Sequence, residues 1–171
     1  MTRNQPRTTW PVDLSHMRPE DAAEWVVARF GDGAMPIQPE RIAGRLGVEV
    51  RAARPNECGT VIGGANGKPW ILIDVNESEH HQRFAIAHAL GHVVLRHDHP
   101  HLESPISLAP LAPDPRDRAA NQFAASMLIP TEKLRWCVTS GWMRNIDQIL
   151  KALWVPKNLL LFRYRQMRGG R

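Results

Sequence analysis

The sequence predicts an α+β fold: a small antiparallel sheet packed with helices around one long buried helix, with a helical C-terminal lobe. Three observations predict it. Strand-like runs cluster between residues 48 and 75, where VEVRAA, GTVIG and WILIDV surround an Asn66-Gly67 pair, a strong hairpin signal. The stretch AIAHALGHVVLRH, residues 85–97, is apolar on nearly every face, as a helix inside a core is. The C-terminal third carries helical periodicity in two or three short pieces.

Taken in order, residues 1–18 are polar and proline-bearing and predict an irregular arm. Residues 19–171 predict a single domain whose C-terminal lobe covers about 131–171. PEDAAEWVVARFGDG opens a first helix: Pro19 suits the first helical position, Glu20 and Asp21 suit the positive end of the dipole, and Gly31 suits the far end. Pro39, Glu40 and Gly47 punctuate a second helix with Ile42 and Leu46 as its stripe. VEVRAA predicts a strand, and Val61-Ile62 and Trp70 to Val75 predict the two arms of a hairpin. NESEHHQRFAIAHALGHVVLRH predicts the long helix, capped by Asn76 or Ser78. The proline-rich stretch 100–115 is too broken for regular structure. RDRAANQFAASMLIP then predicts a helix stopped by Pro130, with Ala120, Phe123, Ala124 and Met127 at helical spacing. IDQILKALWVPKNLLLFRYRQM predicts helix, turn and helix, and its unbroken apolar run Leu159 to Phe162 argues for burial or a protein interface rather than a base-reading face. Tyr164, the only tyrosine, is expected to pack rather than to serve an oxyanion.

The 171 residues suffice for one real core, and 43% hydrophobic with 23% charged residues is ordinary for a globular chain. The net charge of +5 and pI near 9.9 come mostly from scattered residues and a basic C-terminus, so a solvated basic surface is expected and direct nucleic-acid binding is not. No run is long enough to span a membrane, and the N-terminus lacks the apolar core of a secretory signal. Cys58 and Cys137 have no C-x-x-C spacing and read as reduced thiols, so a cytoplasmic protein is expected.

The chemistry resides in His88 and His92. Residues four apart on a helix are offset by only about 40°, so both imidazoles can address one point, as a tetrahedral metal requires. On spacing alone, a pair of core histidines bonded to backbone carbonyls is the commoner outcome. Ala89 stands beside that point, where a glutamate would handle the protons of a hydrolysis. Asp117 precedes Ala119 by two positions, about 200° around the helix, and is expected to point away. His97 is expected about 140° off the metal face, and His80 and His81 at the surface or on the substrate side. His99, His101 and Glu103 belong to a loop expected to be solvated.

Two stretches carry a family resemblance. WILIDV followed by NESEHHQRFAIAHALGHVVLRH resembles the zinc-site segment of the ImmA/IrrE metallo-endopeptidases, which show a strand, an Arg-Phe pair and A-H-E-L-G-H. AANQFAASMLIP resembles their second signature, E-A-N-x-F-A-x-x-L-L-M-P. The resemblance covers roughly residues 40–165. It implies a zinc-dependent endopeptidase with His88 and His92 as ligands, Ala89 in the place of the general base and Ala119 in the place of a glutamate ligand. It implies as partner a helix-turn-helix, Xre-like repressor or antitoxin, in a toxin–antitoxin or mobile-element immunity pair. With both carboxylates replaced, zinc binding is expected to be weak or absent and peptidase activity lost. An engineered pair of Glu→Ala replacements is the favoured reading and a natural pseudoprotease that binds without cutting is its rival; a DNA-binding regulator is the third alternative. A peptide substrate adding as a strand along Trp70, Ile71 and Leu72, read as an exposed edge, and a purely structural hairpin are equal expectations.

Overall fold

Prolines open three of the helices in the computed structural model, each at a position whose amide would have no helical partner. The structure describes residues 13–53, 59–61, 69–97, 101–102, 113–141, 143 and 145–169. The first helix, α1 (Pro19–Phe30), is closed by the Gly31 amide donating to the Val27 carbonyl. The second, α2 (Pro39–Arg45), leads into the sheet through Gly47, whose φ of 77° is one that glycine adopts without strain. The long helix α3 (Glu79–Val94) starts at Ser78, whose hydroxyl accepts from the His81 amide. Asp114 caps α4 (Pro115–Leu128) in the same way, accepting from the Arg116 amide. The C-terminal lobe consists of α5 (Thr131–Thr139), α6 (Ile146–Leu153) and α7 (Lys157–Gly169).

The sheet contains β1 (Glu49–Ala53), β2 (Gly59–Val61), β3 (Trp70–Asp74) and β4 (His101–Leu102), in the order β1-β3-β2-β4. The hairpin arms pair antiparallel as the sequence predicts, with Val61 opposite Trp70 and Thr60 opposite Ile71. Its Asn66-Gly67 turn lies outside the described residues.

The expectation of a wholly antiparallel sheet is corrected. β1 lies parallel to β3, with Glu49 opposite Trp70 and Ala53 opposite Asp74. β1 and β2 therefore flank β3, about 9.6 Å apart, a span that the five residues between positions 53 and 59 cover easily. A second correction follows. β3 has a neighbour on each side, so Trp70, Ile71 and Leu72 are not an edge on which a peptide could add as a strand.

The core sits where α3 meets α4, with α1 packed across α4 and the sheet against α3. Every residue from Ile86 to Leu95 is buried, so the strip formed by His88 and His92 lies inside the core. Leu90 and Phe123 are fully buried, each worth about 1.5–3 kcal/mol in removed apolar surface. Leu14, from the arm expected to be irregular, joins this core and donates its amide to the Val94 carbonyl.

Two buried arginines tie in the C-terminal lobe. Arg163, 3% exposed, donates to the Ile129 carbonyl, Glu24 Oε1 and Thr131 Oγ1 at 3.0, 3.0 and 2.9 Å. Arg83 donates to the carbonyls of Trp154 and Ile37, and its guanidinium lies over the Trp154 ring.

Candidate metal centre

The spacing of α3 puts His88 and His92 one turn apart on the face turned to α4. Their Nε2 atoms stand 2.9 Å apart, and the residues are 3% and 1% exposed. Which residues of α4 meet them is decided by how closely the helices approach. Gly91 has no side chain, and a Cβ there would stand 3.1 Å from Ala120 Cα and 3.2 Å from Phe123 Cβ. Two small residues thus let the backbones close up. Asp117 and Asn121, four apart and offset by about 40°, then share the stripe that faces the histidines. Asn121 Oδ1 lies 2.8 Å from His88 Nδ1. Asp117 Oδ1 lies 3.5 Å from His92 Nε2, and ligand atoms of His88, His92 and Asp117 all fall within 4.8 Å of one another.

The expectation that Asp117 points away is therefore corrected. That expectation presumes a helix with position 119 facing the histidines. The structure instead turns 117 and 121 to them, and Ala119 is a half-buried residue against the core, about 200° from Asp117.

His97 is corrected as well. The 140° offset presumes a continuous helix, but α3 ends at Val94. Arg96 takes a left-handed conformation, φ 58°, while the Arg96 amide donates to the Val93 carbonyl and the His97 amide to the His92 carbonyl. This is a Schellman termination, made here without the usual glycine. It folds His97 back so that its Nδ1 lies 3.0 Å from His92 Nδ1. Burial first, and then the neighbouring His92 and Arg116, push the His97 pKa down to about 4, so the ring is neutral at ordinary pH.

The donor set fits a metal such as zinc. Two imidazoles and a carboxylate suit it, and nitrogens bound to one zinc at about 2.0–2.1 Å stand about 3.3 Å apart, close to the observed separation. Asp117 Oδ1 is buried and accepts no hydrogen bond from the described residues, which leaves it with lone pairs for a cation. The non-coordinating nitrogens of both rings are held by Asn121 and His97, the arrangement that orients metal-binding histidines. Ala89, 4% exposed, brings no acid or base to the group.

The chain matches the family model Peptidase_M78, described as the IrrE N-terminal-like domain, over residues 43–163. The chain belongs to this family. The match runs from the end of α2 into α7 and takes in the sheet, α3 and α4, hence all three donor residues. A search of curated proteins finds no match.

The other predicted residues of this IrrE-like domain fall elsewhere. Trp70 lies under the Arg51 guanidinium, Ile71 is buried and Leu72 half-buried in the central strand. His80 Nδ1 meets the Trp154 carbonyl at 3.3 Å, and His81 is exposed beside Glu77. His101 contributes backbone to β4, while His99 and Glu103 lie outside the described residues. Tyr164 is 51% exposed rather than packed; of the apolar run, Leu159 and Leu160 are buried and Phe162 half-buried, while Leu161 is exposed. Among the described helices, none is long and apolar enough to cross a membrane. Sequence reasoning missed Asn121 as an orienting residue, although its spacing from Asp117 marks the shared stripe. For His97 no sequence signal exists, since neither glycine nor asparagine flags the turn at Arg96.

Proposed function

We propose that this protein is a zinc-binding domain of the metallo-endopeptidase type, with His88, His92 and Asp117 as its ligands and peptidase activity suppressed by alanine at position 89. The observation that carries the reading is the convergence of two imidazole nitrogens and a buried carboxylate oxygen that accepts no hydrogen bond from the described residues. Asp117 supplies the acidic ligand that the resemblance sought at position 119, so zinc is retained where the loss of two carboxylates would have cost the site its charge.

A bound zinc supplies Lewis-acid polarisation of a peptide carbonyl. His88 and His92 would hold the ion through their Nε2 atoms, Asn121 orients the first ring, and Asp117 would add a carboxylate oxygen. Among the described residues, position 89 offers no group beside the metal that takes and returns a proton, a contribution of about 10²–10⁴-fold in rate. A domain that keeps its ligands and lacks its base is suited to holding a polypeptide rather than cutting it. The partner proposed is a helix-turn-helix repressor or antitoxin in the cytoplasm, engaged as protein rather than through DNA.

Zinc analysis of the dialysed protein tests the reading, with one ion per chain expected, and with loss of that ion in His88→Ala and Asp117→Ala. Ala89→Glu is expected to gain cleavage of a repressor encoded beside the gene, which the parent chain binds intact. Zinc retained by both ligand variants would refute the site.

A further inference from the structure

We infer that His97 is a positioning residue for the metal centre, holding the His92 ring and moving a proton so that both coordinating nitrogens can be bare. The inference rests on His88, His92 and Asp117 being the ligand set.

Four side chains form one line of contacts. Asn121 Oδ1 meets His88 Nδ1 at 2.8 Å, His88 Nε2 meets His92 Nε2 at 2.9 Å, and His92 Nδ1 meets His97 Nδ1 at 3.0 Å. A neutral imidazole has one N–H and one lone pair, so fixing one end of the line fixes the rest. An amide oxygen only accepts, so His88 carries its proton on Nδ1 and offers a lone pair at Nε2. His92 donates to that lone pair from Nε2, and His97 donates from its own Nδ1 to the lone pair on His92 Nδ1.

This arrangement suits the protein without metal and opposes metal, because the coordinating nitrogen of His92 carries a hydrogen. Binding needs lone pairs on both Nε2 atoms. The contacts provide a route. The proton on His97 Nδ1 crosses to His92 Nδ1, the proton on His92 Nε2 leaves to water, and water returns one to His97 Nε2. One proton enters, one leaves and every ring stays neutral. His97 Nδ1 then accepts from His92 Nδ1, so the same 3.0 Å contact serves both states with donor and acceptor exchanged.

The backbone argues that this placement is specific. Arg96 adopts φ 58°, a region costing a residue with a side chain about 1–2 kcal/mol, and that one turn brings His97 from the end of α3 onto His92.

The test uses the full chain and a competition titration with a chromophoric zinc chelator. His97→Ala should bind zinc about 10–100-fold more weakly. His97→Asn should recover most of the loss, since its side-chain oxygen lies near the place of Nδ1 and can accept from His92. The thermal midpoint of each metal-free variant should match that of the parent. Nitrogen-15 NMR of the parent's imidazoles gives a readout independent of any variant: the His97 proton should be on Nδ1 without zinc and on Nε2 with it. Unchanged affinity in His97→Ala, or one His97 tautomer in both states, overturns the inference and leaves the ligand assignment standing. A parent chain that binds no zinc, or a His88→Ala variant that binds as the parent does, overturns the ligand assignment and the inference with it.

Discussion

Gly91→Ala is the perturbation in which fold and site separate most clearly. The added Cβ would stand 3.1 Å from Ala120 Cα and 3.2 Å from Phe123 Cβ and Cδ1. Carbon atoms rest at about 3.5–4.0 Å, so α4 must retreat by a few tenths of an ångström. Overpacking of this kind costs about 1–3 kcal/mol. Replacing glycine by alanine inside a helix returns about 1 kcal/mol. The net loss is about 0–2 kcal/mol, or a drop in Tm of about 0–8 °C for a domain of this size. The metal centre has no such compensation. The helix that retreats carries Asp117 and Asn121, and ligand distances tolerate only about 0.2 Å. Zinc affinity is therefore expected to fall about tenfold or more while the fold persists, read by chelator competition beside a thermal melt. A variant with parental zinc affinity would show that the α3–α4 spacing does not set the site.

Further outcomes follow from the same structure. Gly44→Ala, in α2 where an added Cβ meets nothing within 4 Å, should stabilise the chain by about 0.4–1 kcal/mol in denaturant titration and leave zinc binding alone. Arg163→Ala should cost about 3 kcal/mol, because a charged donor to Ile129, Glu24 and Thr131 disappears from a buried position; a Tm drop of about 6–12 °C is the expected reading. Burial pushes the Cys137 thiol above its usual pKa, so at pH 8 it should resist iodoacetamide in the folded protein and react in urea, as followed by mass spectrometry.

The sequence makes most of the scaffold legible because each local signal agrees with its surroundings. Proline and a capping side chain mark the helix starts, and the apolar run of α3 announces its burial. His88 and His92 follow from spacing alone, since four residues on a helix define a common face whatever lies opposite. What lies opposite is a matter of helix packing, and there the reading slips by two residues. A register borrowed from the second signature turned Ala119 toward the histidines, whereas the close approach of Gly91 to Ala120 turns Asp117 and Asn121 there instead. The parallel pairing of β1 is invisible for a similar reason: strand direction is set by the path of the connection, not by the composition of the strand. His97 is hidden by a left-handed turn that an arginine performs without any sequence signature.

The central claim is that His88, His92 and Asp117 bind one metal ion. Anomalous diffraction at the zinc edge, from crystals grown with equimolar zinc, tests it most directly. The account predicts a single strong peak within bonding distance, about 2.0–2.2 Å, of Nε2 of His88, Nε2 of His92 and a carboxylate oxygen of Asp117. A peak at the exposed His81 and Glu77 instead, or none between the three side chains, would contradict it.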